Sequence, residues 1–150
     1  HDHALGRNTI QARHALALNE TREAYAPVLW DVPTERIEEV QQVWFRGTHG
    51  DIGGQLARFN RARPLSNIPL VWMLSEAEAA GLQLPPLWRG RYMVNPNAPS
   101  VGLWRSFSKL FLIRVRRRVG QDPSERLHPS TGLGPRDFHR AWDLPLIQAA

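Results

Sequence analysis

The fold is decided by one stretch of the chain, Glu39-Val40-Gln41-Gln42-Val43-Trp44-Phe45-Arg46-Gly47-Thr48-His49-Gly50-Asp51-Ile52-Gly53-Gly54. Its first half is apolar and β-prone, and it predicts a strand from Glu38 to Phe45. Because this run is almost continuously apolar, we expect a strand covered on both faces, as in a parallel sheet. The strand stops at a loop in which glycines flank one histidine and one aspartate. That layout would hold an imidazole at a strand end with little side-chain bulk around it.

His49 is therefore the candidate catalytic residue, because an imidazole can take a proton and return it within one cycle at physiological pH. The alternative is a histidine that only hydrogen-bonds within a tight turn. Asp51 would either accept backbone N–H groups of the loop or polarise the imidazole, and aspartate in a glycine-rich turn favours the first role. The loop glycines would allow close approach of a substrate; they are Gly47, Gly50, Gly53 and Gly54.

The sequence around Ser100, Ala98-Pro99-Ser100-Val101-Gly102, imitates the serine elbow of a hydrolase. Two features argue against that role. Pro99 fixes a backbone dihedral where an elbow needs strained backbone. Ser100 also follows His49, whereas the nucleophile of α/β hydrolases precedes the histidine in the chain. We expect Ser100 to cap a helix.

No cofactor or metal site is expected. The glycine loop lacks the lysine of a P-loop and the spacing of a dinucleotide-binding fingerprint. The oxygen and nitrogen donors match no known ligand spacing; they are His1, Asp2, His3, His14, His49 and Asp51. Because the chain has no cysteine, disulfides and thiolate chemistry are excluded.

Composition indicates an ordinary folded domain, with 150 residues, 42% hydrophobic and 22% charged. The net charge of +5 is carried almost entirely by arginine, since Lys109 is the only lysine, and it favours anionic partners. No nucleic-acid motif accompanies it, so no specific nucleic acid is expected. No apolar run is long enough to span a membrane, and no signal peptide is recognisable. Cytoplasmic residence is the default expectation.

Elsewhere the patterns predict three helices, a short strand and an irregular tail. In order, these are a helix from Thr9 to Tyr25, a helix from Ser66 to Ala80 closed by Gly81, a strand from Arg91 to Val94, a helix from Val101 to Val119 and a tail from Gln121 to Ala150. The core face predicted for the third helix comprises Leu103, Phe107, Leu110, Phe111 and Val115. One strong strand among three helices is poor material for a free-standing sheet, and such pieces usually belong to a larger domain.

The run Arg114-Val115-Arg116-Arg117-Arg118 would end the third helix, where cations complement the helix dipole. A functional alternative is contact with phospholipid headgroups or nucleic-acid phosphate. The chain could then be a non-catalytic module that binds an anionic surface or a partner protein through this Arg-rich helix.

Several segments together resemble a known family, namely 13–20, 43–54, 65–74 and 125–130. They are similar to the C-terminal part of a bacterial α/β-hydrolase domain family of uncharacterised proteins that includes the type VI secretion phospholipase effectors. The V-W-F-x-G-x-H-x-D-x-G-G block, from Val43 to Gly54, is the most specific part of the likeness.

The resemblance implies a Ser-Asp-His hydrolase of esters or lipids in which His49 is the catalytic histidine. The serine elbow and the triad aspartate of the family lie upstream of the matching region, so the chain is expected to be a single partial domain spanning residues 1–150 and inactive alone. The first residue, His1, fits such a fragment. The expected fold is α/β, the C-terminal fragment of an α/β-hydrolase-like fold. Expected partners are a lipid or ester substrate, the missing N-terminal hydrolase segment and peripherally an anionic membrane; the complete protein could be a secreted effector.

Overall fold

The computed structural model describes residues 3–105 and 109–132, which form an α/β arrangement around a parallel sheet. The sheet has three strands in the order β1-β2-β3, namely β1 Ala12–Ala17, β2 Val40–Phe45 and β3 Glu125–Leu127. The α-helices are α1 His49–Gly53 and α2 Arg63–Ala79. Short 3-10 turns occur at Glu23–Tyr25, Thr34–Glu39, Asn60–Ala62, Trp88–Arg91 and Pro129–Thr131. In the part of the chain so described, no helix is long and apolar enough to cross a membrane.

Strand β2 is the centre of the sheet, and both of its faces are covered. On one face, Val43 and Phe45 pack against Leu65, Ile68 and Trp72 of α2. On the other face, Trp44 packs in a cluster with Leu16, Val119 and Leu127. The prediction of a doubly covered parallel strand is confirmed. Its start is two residues late relative to the prediction because the chain is still in a 3-10 turn through Glu39.

The predicted helix from Thr9 to Tyr25 is wrong, because this segment contains β1 and a short 3-10 turn. Alanine and leucine favour helix intrinsically, but that preference is worth only tenths of a kcal/mol per residue. Strand β1 pairs in parallel with β2 along its whole length, from Ala12 opposite Val40 to Ala17 opposite Phe45. Pairing with a buried strand therefore outweighs local propensity. The predicted cap, Thr9, instead donates its backbone N–H to the Gly6 carbonyl in a turn.

The second predicted helix is confirmed as α2, and Gly81 follows its end with a left-handed φ of 101°. The predicted start at Ser66 is wrong. The helix begins at Arg63, so Ser66 is a buried residue of its first turns and Pro69 falls inside the helix instead of in the first turn. The ion pair between Arg13 Nε and Glu76 Oε2, at 2.6 Å, ties α2 to β1.

The predicted helix from Val101 to Val119 is wrong over the residues that the structure describes there, 101–105 and 109–119, none of which is α-helical. Gly102 has a φ of 75°, and the backbone near residue 114 pairs with another segment. The Glu23 N–H donates to the Ile113 carbonyl and the Val115 N–H to the Thr21 carbonyl. Backbone groups used in this way cannot form helical i to i−4 bonds.

The core face predicted for that helix is also wrong, since Leu110 and Val115 are 67% and 47% exposed; Phe107 lies outside the described residues. The predicted strand at Arg91–Val94 is absent, because a 3-10 turn ends at Arg91 and irregular backbone follows. The tail predicted as irregular contains β3, a wrong prediction at that point. Its remainder from residue 133 lies outside the described residues.

Candidate active site

The three strands are parallel, so their carboxyl ends meet at one edge of the sheet, where α/β proteins commonly bind ligands. A polar residue follows each strand at this edge. Glu20 follows β1, His49 follows β2 and His128 follows β3. The predicted catalytic residue therefore shares this edge with Glu20 and His128, to which the sequence analysis assigned no chemistry.

The loop after β2 is held by Asp51, which is fully buried. Its Oδ2 accepts the backbone N–H of Thr48 at 2.8 Å and the hydroxyl of Ser100 at 2.5 Å. Its Oδ1 accepts the backbone N–H of Val101 at 2.8 Å. With both oxygens used in this way, Asp51 joins the His49 loop to the Ser100 segment. It makes no hydrogen bond to the His49 ring.

Two loop glycines are required by close packing. A Cβ on Gly47, whose φ is 125°, would lie 2.7 Å from the Cβ of Asp51. A Cβ on Gly50 would lie 2.8 Å from the Gln55 carbonyl oxygen. The other two, Gly53 and Gly54, end α1. Gly47 and Gly50 are thus needed for packing of the loop, whatever their expected role in the approach of a substrate.

His49 is exposed at the first position of α1. Its backbone N–H donates to Glu20 Oε2 at 3.0 Å, so the end of β1 fixes the position of this residue. Its ring stacks on Tyr25, with centroids 4.5 Å apart and an interplanar angle of 21°. Neither ring nitrogen bonds an acceptor or donor in residues 3–105 and 109–132. The imidazole is therefore oriented by stacking and open to a group arriving from solvent.

Glu20 is a buried carboxylate beside this histidine, only 1% exposed. It forms an ion pair with Arg22, whose Nε donates to Oε1 at 2.8 Å. Burial alone would raise the pKa of Glu20, but the hydrogen bonds from Arg22 and from the His49 backbone outweigh it, so the pKa lies below its usual value. Glu20 is thus a fixed negative charge under the His49 loop.

His128 differs from His49 although both follow strands at the same edge. Its ring stacks on Phe45 at 4.5 Å, and burial lowers its pKa from 6.5 to about 4. Its Nδ1 accepts the backbone N–H of Ser130 at 3.1 Å and lies 2.9 Å from the Ser130 hydroxyl. The ring therefore caps the turn at 129–131 in its neutral form, which suits a structural role better than proton relay.

Ser100 does not begin a helix as predicted; its hydroxyl donates to Asp51 and accepts the Gly102 N–H at 3.0 Å. Of the possible metal donors considered in the sequence, His1 and Asp2 lie outside the described residues. Within the described ranges, no three histidine, aspartate or glutamate side chains are grouped so as to hold a metal ion. A surface cleft of about 550 Å³ lies away from the strand ends, between Glu78 and the turn at 84–90.

The first half of the chain matches a protein-family model. The model of the type VI secretion system (T6SS) phospholipase effector, Tle1-like, catalytic domain matches residues 1–76. The chain belongs to this family. The match to the Tle1-like catalytic domain contains β1, β2 and α1, and with them Glu20, Tyr25 and His49. No curated protein and no solved structure matches the chain.

Sequence reasoning missed Glu20, Arg22 and Tyr25 in this Tle1-like site because it assigned them to a helix. The available signal was the polar run Asn19-Glu20-Thr21-Arg22 directly after an apolar segment. Had that segment been taken as a strand parallel to β2, the run would have been expected at the same sheet edge as His49.

Proposed function

We propose that this chain is the part of an α/β-hydrolase phospholipase that supplies the proton-relaying histidine, His49, of a Ser-Asp-His triad. The observation that carries the proposal is the exposed His49 ring at the carboxyl end of the central parallel strand. Its backbone is held by Glu20 and its ring lies against Tyr25. The membership of a phospholipase effector family supplies the substrate class, a lipid ester.

In this mechanism a serine hydroxyl attacks the ester carbonyl while His49 takes its proton, and His49 then gives that proton to the leaving alcohol. Water, deprotonated by the same imidazole, hydrolyses the acyl-serine and releases the fatty acid. Ser100 and Asp51 are both used in structural hydrogen bonds. The nucleophile and the aspartate that holds the imidazole tautomer would accordingly come from a segment outside this chain.

The test is turnover of a phospholipid by the complete hydrolase. We expect His49→Ala to lower turnover by roughly four to six orders of magnitude, as loss of a triad histidine does elsewhere. The rival variant is His128→Asn, which changes the other strand-end histidine and keeps a side chain able to cap residue 130. We expect it to keep turnover within a few-fold of the wild type. The opposite ranking of the two variants would refute the proposal.

The isolated 150-residue chain gives a second test. Because the Ser100 hydroxyl is engaged by Asp51 and the nucleophile is proposed to lie outside this chain, we expect no hydrolysis of short-chain p-nitrophenyl esters. A robust rate that His49→Ala abolishes would mean that the chain contains its own nucleophile.

A second proposal is peripheral contact with an anionic membrane. The segment 109–118, which we call the basic segment, exposes Leu110, Leu112 and Ile113 by 67%, 73% and 68%. Lys109, Arg116 and Arg118 are exposed in the same segment. Apolar side chains between cations are typical of surfaces that bind anionic lipid. The predicted Arg-rich helix is thereby replaced by an extended segment with the same proposed partner.

A further inference from the structure

Arg114 of the basic segment has a buried guanidinium group that finds no acceptor among the residues that the structure describes. Its Nε, Nη1 and Nη2 atoms are each buried, and none hydrogen-bonds to a residue that the structure describes. The group lies over the indole of Trp104, with its Cζ 4.3 Å from the ring centroid. The indole covers one face of the guanidinium, and Trp104 itself is 59% exposed.

A buried cation without an anionic partner is less stable than the same cation in water. Stacking on an indole offsets only part of that loss. An arginine kept in such a position is therefore a strong receptor for an anion that reaches it. All five of its N–H donors remain to be used.

Two sets of contacts connect Arg114 and its indole cover to the surroundings of His49. Its backbone forms a β-bridge with Arg22, whose guanidinium lies over the Tyr25 ring that stacks on His49. Trp104 is three residues beyond Val101, whose N–H is bonded to Asp51 of the His49 loop. The segments that carry the guanidinium and its indole cover thus both run beside the candidate active site.

We propose that Arg114 binds the phosphodiester of the phospholipid substrate, and that the Trp104 indole is a cover that moves aside as this occurs. The proposal rests on the function proposed above and assigns the substrate's phosphate a recognition residue. Phosphate oxygens match the planar fork of an arginine, which can donate two parallel hydrogen bonds to them. The displaced indole would find a favourable environment at the lipid interface, where tryptophan is enriched.

The chemistry of the surroundings favours a lipid phosphodiester over a protein carboxylate. Leu112 and Ile113 on the same segment are exposed and would lie beside acyl chains once the headgroup is bound. Arg116 and Arg118 add positive charge without a neighbouring acidic residue on the segment. An acidic protein segment would gain nothing from the exposed aliphatic side chains.

Binding is tested first on the 150-residue chain, without any need for activity. Glycerophosphocholine, a soluble phosphodiester, is titrated while the Nε–Hε resonance that disappears in Arg114→Gln is followed by NMR. We expect this resonance to shift with glycerophosphocholine more than with equal inorganic phosphate. Arg91→Gln is the matched control, because it removes the same charge from an exposed position outside the basic segment; we expect its titration to follow the wild type.

Trp104→Ala is expected to strengthen binding of glycerophosphocholine, whereas loss of the Arg114 guanidinium would weaken it. Removal of the cover should tighten binding of glycerophosphocholine, because the indole no longer has to be displaced. Unchanged or weaker binding by Trp104→Ala would overturn the role of the cover. A shift produced equally by inorganic phosphate would overturn the assignment to a phosphodiester and leave a general phosphate site.

Selectivity of the complete hydrolase provides the second readout. Dihexanoyl phosphatidylcholine and dihexanoylglycerol carry the same ester groups, and only the first has a phosphate. We expect Arg114→Gln to lower kcat/KM for the phospholipid roughly 10- to 100-fold, the worth of hydrogen bonds to a charged group, and to leave the diglyceride unchanged. Arg91→Gln should preserve the ratio between the two substrates.

Failure of this inference is distinct from failure of the proposed function. An equal loss on both substrates, accompanied by a lower free energy of unfolding, would mean that Arg114 pairs with a protein carboxylate. No loss on either substrate would exclude it from recognition. Either result leaves the His49 experiment unaffected, whereas activity that survives His49→Ala would remove the catalytic role and leave the binding titration intact.

Discussion

The two histidines at the sheet edge, His49 and His128, have different surroundings. His49 is exposed and its ring nitrogens are open to solvent groups, whereas His128 is stacked on Phe45 and used as a turn cap. Burial holds the pKa of His128 at about 4, which keeps the ring neutral at physiological pH. Proximity to the strand ends is therefore insufficient to identify a catalytic residue.

The lowered pKa of the half-buried His128 leads to a prediction about the stability of the protein in acid. Its folded-state pKa lies below its ordinary value of 6.5, so its full contribution is present above pH 6.5 and is lost as the pH falls towards 4. Because the ring is partly solvated, which screens the effect, we expect it to account for about 1 kcal/mol of the stability lost between pH 7 and pH 5. Urea unfolding of the wild type and His128→Asn at both pH values measures this.

The difference between the two proteins isolates His128. His14, whose pKa burial also lowers, contributes equally to both. Glu20, whose pKa is likewise lowered, loses its contribution only in more acidic solution, below its ordinary value of 4.5. An identical loss of stability in wild type and variant would show that the His128 ring is protonated in the folded protein.

At the scale of single residues, sequence spacing predicted the loop that carries His49 and Asp51, because that loop is local, and the catalytic role of His49 stays a prediction. The supporting groups could not be found in that way. Glu20 and Tyr25 meet His49 through the pairing of β1 with β2, and Arg114 meets Arg22 through a β-bridge. Such contacts depend on the fold and leave no periodic pattern in the chain.

At the scale of elements, the accuracy of the sequence predictions follows the balance between local and tertiary forces. Strand β2 was predictable because β-branched and aromatic residues favour the conformation that its neighbours also require. Strand β1 consists largely of alanine and leucine, whose intrinsic preference opposes the sheet. The helical spacing of apolar residues between 101 and 119 was misleading, since several of those side chains are exposed.

Helix α2 offers a test of helix energetics through its two prolines. Pro69 is inside the helix and cannot donate an N–H to the Leu65 carbonyl, a defect of about 3 kcal/mol relative to alanine. Loss of the buried ring in Pro69→Ala would remove about 2 kcal/mol of apolar contact. We expect a net gain of about 1 kcal/mol in the free energy of unfolding, measured with urea.

Pro64→Ala is the matched control. Pro64 lies in the first turn, where its N–H would have no helical partner. We expect no stabilisation from this change. A gain as large as that of Pro69→Ala would point to the unfolded chain, and not to the helical hydrogen bond, as the origin of both effects.

At the scale of the whole molecule, the distribution of charge bears on the contact with an anionic membrane that we propose. The net charge of +5 is concentrated in part on the basic segment. The sequence predicted an anionic partner from its arginine content alone. It could not predict that Leu112 and Ile113 would be exposed beside those cations, because exposure depends on what packs against the segment.

Vesicle binding tests this arrangement. We expect the chain to bind vesicles rich in phosphatidylglycerol better than pure phosphatidylcholine, with the difference reduced at high salt because screening shortens the range of the attraction. Replacing Leu112 and Ile113 together with asparagine should weaken binding about tenfold or more, since each would otherwise bury apolar area. Co-sedimentation with the vesicles gives the bound fraction.

Leu82→Asn is the control for that measurement, because Leu82 is a 52% exposed aliphatic residue outside the basic segment. It should leave vesicle binding unchanged. Equal weakening by Leu82→Asn, or binding that does not respond to salt, would mean that the basic segment is not the lipid-binding surface.

The Glu20 carboxylate, which accepts both Arg22 and the backbone N–H of His49, joins two loops that are 29 positions apart. The block from Val43 to Gly54 is consequently not self-sufficient, because the carboxylate that holds it lies on the loop after β1. In a different protein it would lack the Glu20 carboxylate that holds the His49 backbone, and the imidazole would no longer be fixed in position. Anyone who wishes to re-engineer this centre must move the ends of β1 and β2 as one unit.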